Sequence, residues 1–191
     1  MLPQPVLRTT RLILRPFALT DAADVQRLAG AREVAATTAN IPHPYEDGMA
    51  EAWINSHPAG LEQETNTVYA ITDAATGALM GAIGLTVAME HGRAELGYWL
   101  GHPYWRRGYT TEAATEMLRY AFEELGLRRV MARHMGINPA SGRVMRKIGM
   151  TQEGVMRQHF VKWGQPVDVV FYGILADDWR AQAERKAAEA A

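Results

Sequence analysis

The hydrophobic positions change their spacing along the chain, and the first half is dominated by short apolar runs. Leu12–Phe17 is such a run, closed by a proline, and it predicts a strand. Val68–Asp73 and Leu79–Ala88 predict a hairpin, and Arg93–Leu100 predicts a third strand of the same meander. Gly97 inside that third strand predicts a bulge.

Helices are predicted between the first strand and the meander. Thr20 and Asp21 are typical helix caps, and the helix that they predict ends at about Ala29. Residues 30–45 show no period, and a second helix is predicted over Glu46–Asn55.

After the meander the period becomes helical. Apolar side chains share one face from Thr110 to Leu125, and Gly126 is the stop signal. Arg129–Arg133 predicts a strand, and Ser141–Ile148 predicts a helix that ends at Gly149. The strands on either side of the first of these helices should be parallel, with a right-handed crossover.

The chain closes with two more predicted strands, Thr151–Val161 and Val167–Ala176, joined by a four-residue turn at 163–166. The tail 177–191 is predicted to be a helix or a frayed end. Together these elements predict one α+β domain over 1–191, with a mixed, mostly antiparallel seven-stranded sheet and helices on both faces.

Composition narrows the function. A formal net charge of -1 gives no global basic field, so a nucleic-acid partner is not expected. There is no cysteine, and no histidine pair has metal-ligand spacing, so no metal site is expected. With neither a signal peptide nor a membrane span, we expect a cytoplasmic protein without a membrane partner.

Two stretches can carry chemistry. In the first, Gly108 precedes a helix start beside Arg106 and Arg107, which fits either a phosphate site or an ordinary loop with surface arginines. The Walker lysine loop and the dinucleotide glycine fingerprint are absent. In the second, Asn138 is a helix cap followed by proline at the first helical position, and Ser141 lies in the first turn.

These stretches resemble the GNAT acetyltransferases. Tyr104–Ala113 is similar to their acetyl-CoA pyrophosphate loop, Gln/Arg-x-x-Gly-x-Gly/Ala, and Asn138–Met150 is similar to their Asn-x-x-Ser…Lys-x-Gly-Phe segment. Glu95–Leu100 resembles the strand before the loop. The two ends of the chain, through Arg11–Arg15 and Asp168…Trp179, resemble the RimJ/RimL branch, which acetylates protein N-terminal amines.

The resemblance implies that acetyl-CoA, as co-substrate, enters where the two parallel strands part. It implies the following cofactor contacts: Leu96, Tyr98, Trp99, Leu100, Arg106, Arg107, Gly108, Tyr109, Thr110, Thr111, Asn138, Ser141 and Arg143. Two positions depart from the family pattern. Trp105 stands at the Gln/Arg position, and Thr110 stands at the final small position.

The same resemblance makes Glu95 the candidate base, acting through a water, and Ser141 the candidate donor to the departing thiolate. Each has a plainer interpretation, as a solvated strand glutamate and as a first-turn helix serine. Glu112 fits a role in complementing the helix dipole. Arg157, His159, His134 and Tyr45 are candidates for the acceptor side, and none is singled out.

The predicted function is acetyl-CoA-dependent acetylation of a primary amine, such as a protein N-terminus. A polyamine or aminoglycoside acetyltransferase and a non-catalytic acyl-CoA sensor are the alternatives. A sensor would need the Gly108 loop and Asn138, but neither Glu95 nor Ser141. A homodimer is left open.

Overall fold

The protein is built around one sheet of eight strands, as seen in a computed structural model that describes residues 2–189. The spatial order of the strands is β1-β2-β3-β4-β5-β6-β8-β7, and within residues 2–189 only β5 and β6 pair in parallel. The strands are β1 (Leu7–Arg8), β2 (Leu12–Arg15), β3 (Asn66–Asp73), β4 (Leu79–Ala88), β5 (Arg93–Leu100), β6 (Arg129–Met135), β7 (Thr151–Lys162) and β8 (Gln165–Leu175). The mixed, mostly antiparallel sheet is confirmed. The additional strand is β1, whose two residues are too few to show a period.

Seven helices surround the sheet in the part of the chain that the structure describes. They are α1 (Ala22–Ala29), α2 (Arg32–Thr37), α3 (Met49–Asn55), α4 (His57–Glu62), α5 (Tyr109–Arg119), α6 (Pro139–Lys147) and α7 (Ala176–Glu189). A π-helical turn at Tyr120–Glu124 extends α5, and Gly126 follows it with a φ of 64°. The pattern did not predict α2 or α4, because six residues give less than two turns. The last two residues of the predicted tail lie outside the described residues.

The helices lie on both faces of the sheet, as predicted, because alternate residues of one strand point to opposite faces. On β3, Tyr69 and Ile71 pack in the core that contains Met117 of α5. Ala70 between them packs in a second core with Val25 of α1. Each face of the sheet therefore has its own hydrophobic layer.

The parallel pair opens halfway along. Pairing between β5 and β6 ends at Glu95, which lies opposite Met131. Beyond that point β5 stays paired with β4 as far as Leu100, and β6 stays paired with β8 as far as Met135. One side of β5 is thus left without a strand partner over residues 96–100, and a wedge-shaped cleft begins there.

The predicted bulge at Gly97 is wrong. Gly97 pairs with Gly84 in a register that runs without a shift from Gly81 to Ala88. The strands part because each keeps its outer partner while the chain continues into different helices. A local insertion in β5 is not needed.

Two smaller expectations also need correction. The closing hairpin turns through two residues, Trp163 and Gly164, both with positive φ, which is the geometry of a type I′ turn. Asp21 does not cap α1 with its side chain. Its carboxylate accepts two hydrogen bonds from the Arg15 guanidinium and one from the Ala18 backbone, so it ties β2 to the start of α1.

Candidate active site

The loop between β5 and α5 is held in shape by its own side chains. The Trp105 indole N–H donates to the Leu100 carbonyl at 2.7 Å, across the end of β5. Arg106 and Gly108 both adopt left-handed backbone, with φ of 62° and 81°. Trp105, which departs from the family pattern, therefore stabilises the loop by bonding it to the end of β5. Gly108 directs the chain into α5, whose first backbone N–H groups have no intrahelical acceptor.

Glu112 in the first turn of α5 anchors the N-terminal strands. Its carboxylate accepts from the Arg11 backbone N–H at 2.8 Å, the Arg11 guanidinium at 2.7 Å and the Thr9 hydroxyl at 2.6 Å. Burial opposes ionisation, but these hydrogen bonds together hold the pKa of Glu112 below its usual value. Arg11 also donates to the Arg107 carbonyl at 3.1 Å. Glu112 thus fixes the loop position, a role beyond complementing the helix dipole.

The start of α6 presents a second polar wall. Asn138 caps the helix by accepting from the Ser141 backbone N–H at 3.3 Å, and its amide donates to the Thr37 carbonyl at 3.1 Å. The Ser141 side chain is buried, and its hydroxyl lies 2.8 Å from the Tyr98 hydroxyl of β5. Burial raises the pKa of Tyr98 to about 12, against the opposing effect of this hydrogen bond. The Tyr98 hydroxyl therefore stays protonated at neutral pH.

Glu95 occupies the point where the two strands part. It is the last residue of β5 to pair with β6, and its carboxylate forms an ion pair with the Arg133 guanidinium at 2.8 Å. About a third of its side chain is exposed, at 33%. Arg133 lies two residues beyond Met131 on β6, so only the sheet register brings the two charges together. The sequence pattern did not indicate Arg133.

These features line one cleft of about 1090 Å³. Both predicted catalytic residues, Glu95 and Ser141, line it. Of the predicted cofactor contacts, those that line it are Leu96, Tyr98, Trp99, Leu100, Arg106, Gly108, Tyr109, Thr110, Thr111, Asn138, Ser141 and Arg143. Arg107 does not: its side chain is exposed and outside the lining.

The rest of the cleft is lined largely by residues that sequence reasoning did not single out. Tyr45, His134 and His159 line the cleft as predicted, whereas Arg157 lines a separate shallow depression. The additional lining comes from the segment that follows α2 and from single side chains on α3, β6 and β7: residues 37–42, Trp53, Arg133 and Phe160. A helical period finds none of them, because most lie in loops or at strand ends.

The chemistry of the cleft suits an extended anionic molecule with peptide-like groups. The α5 N-terminus and Arg106 offer donors and positive charge to phosphates. The unpaired side of β5 offers backbone groups to amides, in the manner of an added strand. The residues described contain no cluster of three or more metal-ligating side chains. Nor do they include a helix of the length and apolarity that crossing a bilayer requires.

Known proteins share both the sequence pattern and the fold. The Acetyltransferase (GNAT) domain family matches residues 11–151. The uncharacterized N-acetyltransferase YoaA of Bacillus subtilis (strain 168) is 32% identical over 172 residues, which cover 90% of this chain and 97% of YoaA. The structure of RimL, a ribosomal L7/L12 alpha-N-protein acetyltransferase in complex with coenzyme A, superposes with a TM-score of 0.83 at 18% identity, covering 91% and 98% of the two chains.

A spermidine N-acetyltransferase from Vibrio cholerae, in complex with CoA and spermine, has the same fold, with a TM-score of 0.78 at 20% identity over 90% and 99% of the two chains. The opened parallel pair, the Gly108 loop and these matches define an acyltransferase that uses acetyl-CoA. The chain belongs to the GNAT acetyltransferase family. Its activity is acetyl-CoA-dependent acetylation of an amine.

Proposed function

We propose that this protein transfers the acetyl group directly to a primary amine in a ternary complex, with Glu95 acting on the amine and Ser141 on the departing sulfur. One observation carries the proposal. Where β5 and β6 part, the Glu95 carboxylate and the Ser141 hydroxyl line the same cleft, one at the point of parting and the other at the start of α6.

The residues present fit acetyl-CoA. The N-terminus of α5 and Arg106 would hold its phosphates, and the unpaired side of β5 would pair with its amides. When bound, acetyl-CoA supplies an acetyl group activated as a thioester. Transfer forms a C–N bond and breaks a C–S bond, so the amine gives up one proton and the sulfur takes one up.

Glu95 provides the acceptor for the amine proton, directly or through a water. Its ion pair with Arg133 holds the carboxylate at the mouth of the opened strands. A primary amine is mostly protonated at neutral pH and cannot attack the thioester in that form. A positioned general base removes the proton and so raises the rate of transfer.

Ser141 provides the proton for the sulfur. Its hydroxyl is buried and its hydrogen-bond partner is Tyr98, so the Ser141 side chain is held in one orientation. Tyr98 acts here as a positioning residue, and it keeps a donor available to Ser141 because its own pKa is raised.

For the acceptor we propose an amine such as a protein N-terminus, supported by the name of RimL. A small amine is the second candidate, supported by the name of the spermidine enzyme. A single domain, a cytoplasmic location without nucleic-acid or membrane partners, and a homodimer are part of the same proposal. The net charge of -1 supports the absence of a nucleic-acid partner, and the lack of cysteine is compatible with a reducing cytoplasm. Exposed Val155 and Met156 on the edge strand β7 support the dimer.

Binding of CoA should raise the melting temperature. CoA at about 100 times its dissociation constant adds about 2.7 kcal/mol, or about 5–10 °C for a chain of this size. Differential scanning fluorimetry with CoA, ATP and NAD at the same millimolar concentrations measures this. A response to ATP or NAD equal to that of CoA would contradict the assignment of the cofactor site.

Turnover of acetyl-CoA should depend on an added amine. A screen that follows release of free thiol, with and without small amines and N-terminal peptides, distinguishes an enzyme from an acyl-CoA sensor. We expect amine-dependent release, together with an acetylated product detected by mass spectrometry. Tight CoA binding without transfer to any amine would instead indicate the sensor.

A further inference from the structure

The middle of the cleft has a floor without side chains. Gly84 and Gly97 pair across β4 and β5, and both line the cleft. A Cβ atom built on Gly97 meets no atom within 4 Å, so the space above it is open. On the same side of β5, Glu95 lies at one end of this floor and Trp99 at the other, because alternate strand residues share a face.

One wall of this floor is aromatic and fixed. The Trp53 and Trp99 rings are 6.5 Å apart, and Trp53 is also contacted by Phe17 at 5.0 Å and His57 at 4.5 Å. Burial lowers the pKa of His57 to about 4, so this ring is neutral at pH 7. Tyr45 and Phe160 extend the aromatic lining.

The charges in the cleft are unfavourable to a polyamine. Among the described residues that line it, Glu95 is the only carboxylate, and it is already paired with Arg133. The other charged lining residues are Arg106, Arg143 and Lys147, all cationic. Arg106 and Arg143 are cofactor contacts in this proposal, so their charges would face the phosphates of CoA. A substrate with several ammonium groups would therefore find on the acceptor side one carboxylate, Glu95, which Arg133 already neutralises.

We infer that the acceptor is a primary amine carried on one aromatic or large apolar group, with no second positive charge, and that this group lies on the Gly84–Gly97 floor beside Trp53 and Trp99. The inference rests on the proposed acetyl transfer. The physical reason is that a flat ring on the substrate can stack against the fixed indoles of Trp53 and Trp99 and bury apolar surface. The amine of the same substrate is then placed at Glu95.

A comparison of three amines tests the inference. We expect kcat/KM for 2-phenylethylamine to exceed that for butylamine and for spermidine by roughly tenfold or more, the size of effect that pocket contacts of this kind produce. Equal or faster acetylation of spermidine would overturn the acceptor class while leaving acetyl transfer intact. Transfer to no amine at all would overturn the proposed function, and this inference with it.

A pair of variants locates the site. Gly97→Val should raise KM for 2-phenylethylamine about tenfold or more, because its side chain would occupy the floor. It should raise KM for acetyl-CoA by a smaller factor, because the substitution keeps the β5 backbone groups that are proposed to pair with CoA. Gly154→Val is the matched control, since Gly154 is also a strand glycine with no atom within 4 Å of a built Cβ, and it lies outside the cleft on β7. An unchanged KM for 2-phenylethylamine in Gly97→Val would overturn the placement of the acceptor group.

Discussion

Replacing Glu95 with glutamine is expected to lower turnover by roughly 10²–10⁴ and to leave CoA affinity nearly unchanged. In the proposed mechanism the Glu95 carboxylate accepts the amine proton, whereas the proposed phosphate contacts lie at the N-terminus of α5. Glutamine keeps the side-chain size and an oxygen that can still accept from Arg133, so the local structure should survive. Steady-state kinetics with a competent amine and calorimetric CoA binding measure the two quantities separately.

The loss of rate in Glu95→Gln should shrink as pH rises. At high pH more of the amine is neutral in solution, so the reaction depends less on a base in the enzyme. The rate of the variant should therefore approach that of the parent protein. The Arg133 guanidinium forms an ion pair with Glu95 in the parent protein, and glutamine removes the negative charge from that pair.

The matched control is Glu153→Gln, which alters a comparable ion pair with Arg129 outside the cleft. This variant should keep the parent pH–rate curve. If the curves of Glu95→Gln and the parent overlap, Glu95 is a solvated strand residue and the enzyme acts by positioning alone.

Gly108→Val is expected to weaken CoA binding by roughly 5- to 150-fold, which corresponds to the 1–3 kcal/mol cost of forcing a β-branched residue into left-handed backbone. Gly108 has a φ of 81° and begins α5, so relief of the strain would rotate the first N–H groups of the helix. The built Cβ of Gly108 is 3.5 Å from the nearest atom of Arg11, so conformation rather than space sets the effect.

Two controls separate this effect from general instability. Arg107→Ala should change CoA affinity little, because the Arg107 side chain lies outside the cleft lining. Gly126→Val imposes similar strain, at a φ of 64° beyond the end of α5, but lies away from the cleft. Isothermal titration of all three variants with CoA measures the difference. If Gly108→Val binds CoA as well as Gly126→Val does, the phosphate site is elsewhere.

The sequence determined the elements whose own side chains define them. The β4 and β5 strands were predicted with the bounds that the structure has, because turn residues and apolar runs mark both ends. The face of α5 that is buried was also readable, since its apolar side chains recur with the helical period. The order of these elements, together with the Gly108 and Asn138 stretches, was enough to predict the family.

Local pattern was insufficient where two elements meet. The ion pair of Glu95 with Arg133 and the contact of Tyr98 with Ser141 join residues that are 38 and 43 positions apart. The hydrophobic pattern does not predict either contact, because both depend on the point at which β5 and β6 stop pairing. The bulge predicted at Gly97 is wrong because a glycine in a strand can indicate open space above the sheet as well as an inserted residue. The sequence alone does not distinguish the two.

Only the tertiary structure forms the part of the cleft that we assign to the acceptor. Its walls come from short helices and loops between β2 and β3, and from the far strand β7, and no local pattern in these elements shows that they meet at one cleft. Their positions follow from long-range contacts, such as the Lys162 ammonium donating to the Thr38 carbonyl at 2.7 Å. The sequence by itself therefore determined the family, and it predicted the residues proposed for the cofactor side, because that chemistry is local to a loop and a helix start. The floor at Gly97 and the wall at Trp53 were decided by folding, because they exist only once distant segments pack together.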